Sequence, residues 1–292
     1  MTIIIACVLL GVFGLILGSF VGATVWRLRA RQLVADKKAG EKVNARELKR
    51  LEPLVKSSLR SDRSQCLHCG YRLKWYDMVP IVSWITLRGK CRHCHRPIGL
   101  LEPLIELGMA LFFIGSLLLW PYDLVSSVDI ARFIVWIIAG VVMAILFIYD
   151  SKWFLLPDKL NWSLVGLGLV SVGIVAIGDG QPVATLVNAA AAVGILSGLY
   201  LFLYIVSGGK WIGFGDVKLG IGLALLLADW KLAIIALFAA NLLGTLIVAP
   251  LLIRKKLTRR SRVPFGPLLI SGTVIAQFFG AGLVNWYISL IF

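Results

Sequence analysis

The chain of 292 residues is 59% hydrophobic and only 15% charged, where soluble domains are about 45–50% apolar. A globule that apolar could not cover its own surface, which excludes a disordered chain, a disulfide scaffold and a simple cytosolic enzyme and leaves a polytopic membrane protein. Thirty Lys and Arg face 15 Asp and Glu, a formal charge of +15, and their placement, 18 cations within Arg27–Arg96 and six more within Arg254–Arg262, points to membrane topology and anionic lipid rather than to nucleic acid.

A membrane-spanning helix needs about 20 mostly apolar residues. The first such stretch, Ile3–Trp26, carries no charge; it is too long, and lacks the basic start, for a cleaved signal peptide. Gly14, Gly18 and Gly22 recur along it every four residues, a smooth face that another helix can approach closely. Further spans are predicted near 103–120, 130–149, 161–178, 185–206, 217–229, 232–253 and 266–291, the 217–229 stretch being short. The fold class is an all-α polytopic integral membrane protein of about eight transmembrane helices. Its organisation is a first transmembrane helix (1–26), a basic polar region (27–100) and a multi-helix membrane domain (101–292). With 27–100 placed in the cytoplasm, 28 Lys and Arg fall inside and two, Arg132 and Lys231, outside, which puts the N-terminus outside.

Within the polar region, Arg31–Ser64 is charged, with Leu48, Leu51, Val55 and Leu59 at helical spacing; a surface helix against the bilayer or the protein is expected. Cys66-Leu67-His68-Cys69 and Cys91-Arg92-His93-Cys94 follow, two CxxC knuckles separated by 21 residues. Four thiolates suit a tetrahedral Zn²⁺, two from each turn, in a closed site that leaves no position for substrate, so a structural role is expected. Cytoplasmic thiols stay reduced, which argues against two disulfides; redox CxxC chemistry and unligated thiols are the alternatives. Cys7, inside the first span, reads as a small apolar residue.

Carboxylates beside a span are costly and so informative. Glu106 sits one turn inside the second span, either paired to a cation or used in substrate binding. Asp150 ends the third span in Tyr149-Asp150, followed by Leu155-Leu156-Pro157-Asp158. Asp216 opens the sixth in Gly213-Phe214-Gly215-Asp216. The topology puts Asp150 and Asp216 at the same cytoplasmic edge although 66 positions separate them. Two close carboxyls can hydrolyse an amide: one stays ionised and takes a proton from water, the other stays protonated and polarises the carbonyl, because like charges at close range do not both ionise. The glycines before Asp216 leave room for a substrate strand. Taken singly, either aspartate could be an interfacial helix end, and Asp158 is expected to cap the fourth span.

With these residues in hand, the chain resembles the type IV prepilin peptidases, membrane aspartic proteases of the GxGD class. The likeness covers most of the length: Gly18-Ser19-Phe20 with Arg27-Leu28, the double CxxC bracketing Val79-Pro80-Ile81-Val82-Ser83-Trp84, Pro103-Leu104-Ile105-Glu106, the D-x5-LPD run from Asp150 to Asp158, the GxGD ending at Asp216, and Pro264-Phe265-Gly266-Pro267. Gly22 in place of Asn, Leu67 in place of Pro, and Leu101-Glu102 in place of Arg/Lys-Tyr depart from the family pattern without touching the aspartates or the thiols. The resemblance implies that Asp150 and Asp216 are the catalytic pair. It implies cleavage of the basic leader of type IV prepilins and pseudopilins, after a Gly, at the cytoplasmic face of a bacterial inner membrane, for a pilus or type II secretion machine. It also implies N-methylation of the new N-terminus with S-adenosylmethionine in many members, though no glycine-rich nucleotide loop marks that cofactor here. Two rival readings are a presenilin-like intramembrane protease, which would carry Pro-Ala-Leu where this chain has Pro-Phe-Gly-Pro, and a non-enzymatic zinc-bearing adaptor of a pilus or secretion machine.

Overall fold

The computed structural model describes residues 2–55, 64–178, 180–256, 258 and 261–291. Among these residues eleven α-helices follow in order: α1 (Thr2–Lys38), α2 (Ala45–Leu51), α3 (Val82–Thr86), α4 (Leu101–Leu118), α5 (Ser127–Trp153), α6 (Asp158–Gly178), α7 (Pro182–Leu196), α8 (Gly198–Ser207), α9 (Phe214–Leu227), α10 (Trp230–Ile253) and α11 (Gly266–Ile291). Among the described residues, extended pairing is confined to two isolated bridges, Gln65 with Arg72 and Lys90 with Pro97. Among the described residues, seven stretches are long and apolar enough to cross a membrane, with α7 and α8 forming one of them. The expected span at 217–229 is α9, whose 14 residues make about 21 Å of helix at 1.5 Å per residue, short of the roughly 30 Å of a hydrocarbon core. The protein is a multi-pass membrane protein.

The chain divides into two compact units, 1–115 and 116–292. In the first, the glycine stripe of α1 does what its spacing predicts. A Cβ on Gly14 would stand 2.7 Å from the Ala110 Cα and one on Gly18 2.5 Å from the Glu106 Cα, so the backbones of α1 and α4 touch where no side chain could intervene. Gly22 is looser, its nearest neighbour being the Ile105 Cδ1 at 3.8 Å. Helix α1 also runs 12 residues past the predicted end of the span at Trp26. That extension exists to be packed against: Ala30 and Leu33 form a buried cluster with Leu48, Leu51 and Leu54. Arg29 makes a two-pronged contact to Glu47, with N–O distances of 3.1 and 2.9 Å. The helix expected in the 31–64 segment is thus α2, started by an Asn44 side chain that accepts from the Arg46 and Glu47 amides and held against α1 rather than lying free on lipid. Leu59 lies outside the described residues.

In the second unit the short α9 is the centre. It packs against α6, α7, α8, α10 and α11, and Leu219, Leu223 and Ala224 are fully buried. Small residues set the spacing here too: Cβ atoms on Gly168 and Gly222 would meet Leu225 at 2.5 Å and Leu164 at 3.0 Å. Ser197, between α7 and α8, donates from its buried hydroxyl to the Val217 carbonyl at 2.9 Å, pinning the α7–α8 junction onto the first turns of α9. Helix α11 packs against α5 and α10 as well as α9, so the start of α11, the end of α5 and the start of α9 meet.

Candidate functional site

Asp150 lies in the last turn of α5, 5% exposed. The helix stops three residues later because Phe154 adopts a left-handed conformation, φ 56°, and its N–H closes back on the Asp150 carbonyl. This leaves Leu155-Leu156-Pro157 as a link into α6. Asp216 sits in the first turn of α9, where an acidic residue favours the helix dipole, and its Oδ2 accepts from the Gly213 N–H at 3.2 Å. The two carboxyls are close enough to interact electrostatically. Asp150 is held from a third direction: its Oδ2 accepts from the N–H of Gly266, the first residue of α11, at 2.9 Å.

Leu156 fills the space among these elements. A Cβ on Gly215 would meet the Leu156 Cβ at 3.1 Å, and one on Gly266 would meet the Leu156 Cδ2 at 3.3 Å and the Asp150 Oδ2 at 2.9 Å. The room that the glycine before Asp216 was expected to leave for a substrate strand is therefore taken by the leucine of Leu-Pro-Asp. Asp158 differs from expectation as well. It is the first residue of α6 rather than a cap preceding it, and its exposed carboxylate pairs with Lys218 of α9 at 2.7 Å, tying the starts of α6 and α9 together beside Asp216. The roles of Leu156 and of the Gly266 amide escaped sequence reasoning. Their motifs were visible, but a backbone donor carries no residue-type signal and Leu156 looked like one more apolar residue.

In the first unit, the two knuckles repeat each other at an offset of 25 residues. Cys66 N–H bonds the Tyr71 carbonyl and Gly70 N–H the Cys66 carbonyl; Cys91 N–H bonds the Arg96 carbonyl and His95 N–H the Cys91 carbonyl, all at 2.9 Å. Gly70 and His95 hold the same left-handed position, φ 70° and 55°, which closes each turn. The sulfurs of Cys66, Cys69, Cys91 and Cys94 all lie within 4.8 Å of one another and could hold a metal ion, a spacing compatible with Zn²⁺ at about 2.3 Å from each sulfur. Burial pushes the Cys66 thiol up to about 12. At Cys91 burial also raises the pKa, but the Cys94 and His93 amides bring it down to about 7. A divalent cation supplies the charge that four thiolates at this range require. Cys7 is part of α1 and away from this cluster.

The same unit holds a cavity bordered by Trp26, Trp84, Glu102 and Glu106. Glu106 is buried and accepts from the Ile81 N–H at 2.7 Å and from the Ser19 hydroxyl, so the partners described for it are neutral donors rather than the cation that was one of its two readings. Glu102 accepts from the Trp26 indole at 3.2 Å through Oε1, while its buried Oε2 has no partner among the described residues.

Two family models match the chain: the bacterial peptidase A24 N-terminal domain over residues 12–120 and the type IV leader peptidase family over 137–249. A Burkholderia pseudomallei prepilin leader peptidase/N-methyltransferase is 33% identical over 92% of this chain and 84% of its own. Proteins of the same name from Aeromonas hydrophila (30% identical; 80% and 77% covered) and Legionella pneumophila (28%; 95% and 93%) are also similar. No solved structure matches. Matched over nearly its full length, with aspartates, Leu-Pro-Asp and the α11 glycine gathered in one unit and the paired knuckles in the other, the chain belongs to the type IV leader peptidase family.

Proposed function

We propose that this protein is a membrane aspartic endopeptidase that removes the basic leader of type IV prepilins and pseudopilins, cleaving after Gly, with Asp150 and Asp216 as its catalytic pair. The observation that carries the reading is convergence: Asp150 with Leu156, Asp216 and Gly266, from three separate stretches, meet at one place through contacts that use their motif positions. Two carboxyls in this arrangement share one proton and bind a water between them. The ionised member takes a proton from that water as its oxygen adds to the scissile carbonyl. The protonated member donates toward the carbonyl oxygen and, as the tetrahedral intermediate collapses, a carboxyl proton passes to the leaving amine. The Gly266 and Gly213 amides keep the carboxyls from turning away, which is the positioning such chemistry depends on.

The cation distribution supports an orientation with the N-terminus outside and both the thiol cluster and the aspartates at the cytoplasmic face. There a substrate's apolar helix lies in the bilayer, its basic leader stays in the cytoplasm, and the Gly-X bond falls between. Cys66, Cys69, Cys91 and Cys94 hold a structural Zn²⁺, and region 27–100 is the domain built on it. The names of the relatives, prepilin leader peptidase/N-methyltransferase, support N-methylation of the new N-terminus as a second activity. S-adenosylmethionine, when bound, supplies an electrophilic methyl group. The unpartnered Glu102 oxygen, with Glu106, Trp26 and Trp84 around the same cavity, suits a ligand with sulfonium and ammonium charges, and these residues would hold it.

A leader-cleavage assay in membranes tests the peptidase reading. Asp150→Asn and Asp216→Asn should each lose cleavage almost completely at unchanged protein level, and the double variant should be little worse, because groups that act as a unit are not additive. Asp158→Asn should keep most activity, since an ion pair this exposed contributes about 0–1 kcal/mol. Substantial turnover by either dyad variant removes that residue from the pair.

A further inference from the structure

One buried polar group near the aspartates has no place in the packing. Tyr200, in the first turn of α8, is 2% exposed. Its ring meets Phe265 edge-on, centroids 5.0 Å apart at 61°, and Phe265 is the residue before the Gly266 whose amide holds Asp150. Its hydroxyl interacts electrostatically with the Asp216 carboxyl, so the phenol belongs to the surroundings of both aspartates. Yet the hydroxyl is buried and its proton has no well-formed acceptor among the described residues. The Asn241 amide donates one N–H to the Leu237 carbonyl at 2.8 Å and turns the other toward the phenol oxygen, which leaves the phenol's own O–H without an acceptor. A hydroxyl taken out of solvent without an acceptor is a net loss that phenylalanine at the same place would avoid. Unsatisfied buried groups of this kind are few in native proteins, and a catalytic role is one of the reasons they are kept.

We propose that Tyr200 is a third catalytic residue, whose phenol donates a hydrogen bond to the carbonyl oxygen of the scissile peptide, the acceptor the free enzyme lacks. The proposal rests on reading Asp150 and Asp216 as the dyad. As water adds to the carbonyl carbon, the C=O π pair moves onto oxygen and the phenol stabilises the charge that develops there, keeping its own proton. The water's proton goes to the ionised aspartate, and the leaving nitrogen takes its proton from the dyad, so Tyr200 ends each turnover unchanged. A fixed donor at a developing oxyanion stabilises the transition state more than the ground state.

The test is Tyr200→Phe in the full-length protein, purified into lipid nanodiscs and assayed with a synthetic peptide made of a basic leader, Gly and an apolar helix. Removing one such donor lowers kcat on the order of 100-fold, with KM within about threefold and a melting temperature equal to or above the parent's, because the ring stays on Phe265 and only the unpaired hydroxyl is gone. Asp150→Asn and Asp216→Asn, prepared alongside, separate the two claims. If they cleave normally, the dyad reading fails whatever Tyr200 does. If they are inactive while Tyr200→Phe keeps the parental kcat, the present inference fails alone. A kcat loss that comes with a lowered melting temperature, and recovers at lower assay temperature, makes the hydroxyl structural and also overturns it.

Discussion

A single methyl group at Gly266 should separate catalysis from stability. In Gly266→Ala the new Cβ would lie 2.9 Å from the Asp150 Oδ2, 3.4 Å from its Cγ and 3.3 Å from the Leu156 Cδ2. Ordinary contact for the first pair is roughly 0.5 Å longer, so the carboxyl must swing by about that distance, away from the Gly266 amide that it accepts from at 2.9 Å. Productive geometry tolerates about 0.5 Å, and a displacement of about 1 Å costs on the order of 100-fold in rate; kcat should therefore fall roughly tenfold. The atoms that must move are the ends of two side chains rather than backbone, so the stability cost should stay under about 1 kcal/mol, partly offset by the lower chain entropy of alanine in the unfolded state. Gly194→Ala is the control: nothing lies within 4 Å of a Cβ there, and this α7 substitution should leave kcat unchanged and the melting temperature equal or raised. The measurement is kcat and melting temperature of each variant in nanodiscs with the leader peptide. Parental kcat in a well-folded Gly266→Ala protein would refute the claim that this amide positions Asp150 for chemistry.

Metal analysis of purified protein should find about one Zn²⁺ per chain, and Cys66→Ser/Cys91→Ser should abolish it. Chelation should increase proteolysis within residues 64–97, because a structural ion contributes folding energy, while a metal-free chain equally resistant to protease would count against the site. A topology reporter fused after Arg262 should read cytoplasmic and one within 178–182 external; the reverse assignment would move both aspartates away from the side where a basic leader resides.

The sequence by itself determined the class and most of the chemistry. Apolar runs of spanning length can form only buried or lipid-facing helices, the four-residue glycine period of α1 marked its contact with α4, and CxxC spacing announced a four-sulfur cluster because the knuckle is a local structure with its ligands three apart. Asp150 and Asp216 stood out because a carboxylate at a membrane edge is conspicuous. Features created by distant segments were decided only in three dimensions. Helix α9 reads as a weak transmembrane segment, yet five neighbouring helices bury it. Asp158 looked like a cap, and a lysine 60 residues away makes it an ion-pair partner. The Gly266 amide and the Leu156 side chain acquire their roles only when α11 packs on α5 and the α5–α6 link folds beneath α9. Tyr200 was invisible for the same reason: a tyrosine in an apolar helix has no period or motif of its own, and what distinguishes it, a buried O–H with no acceptor beside Asp216, depends on the distant residues that surround it.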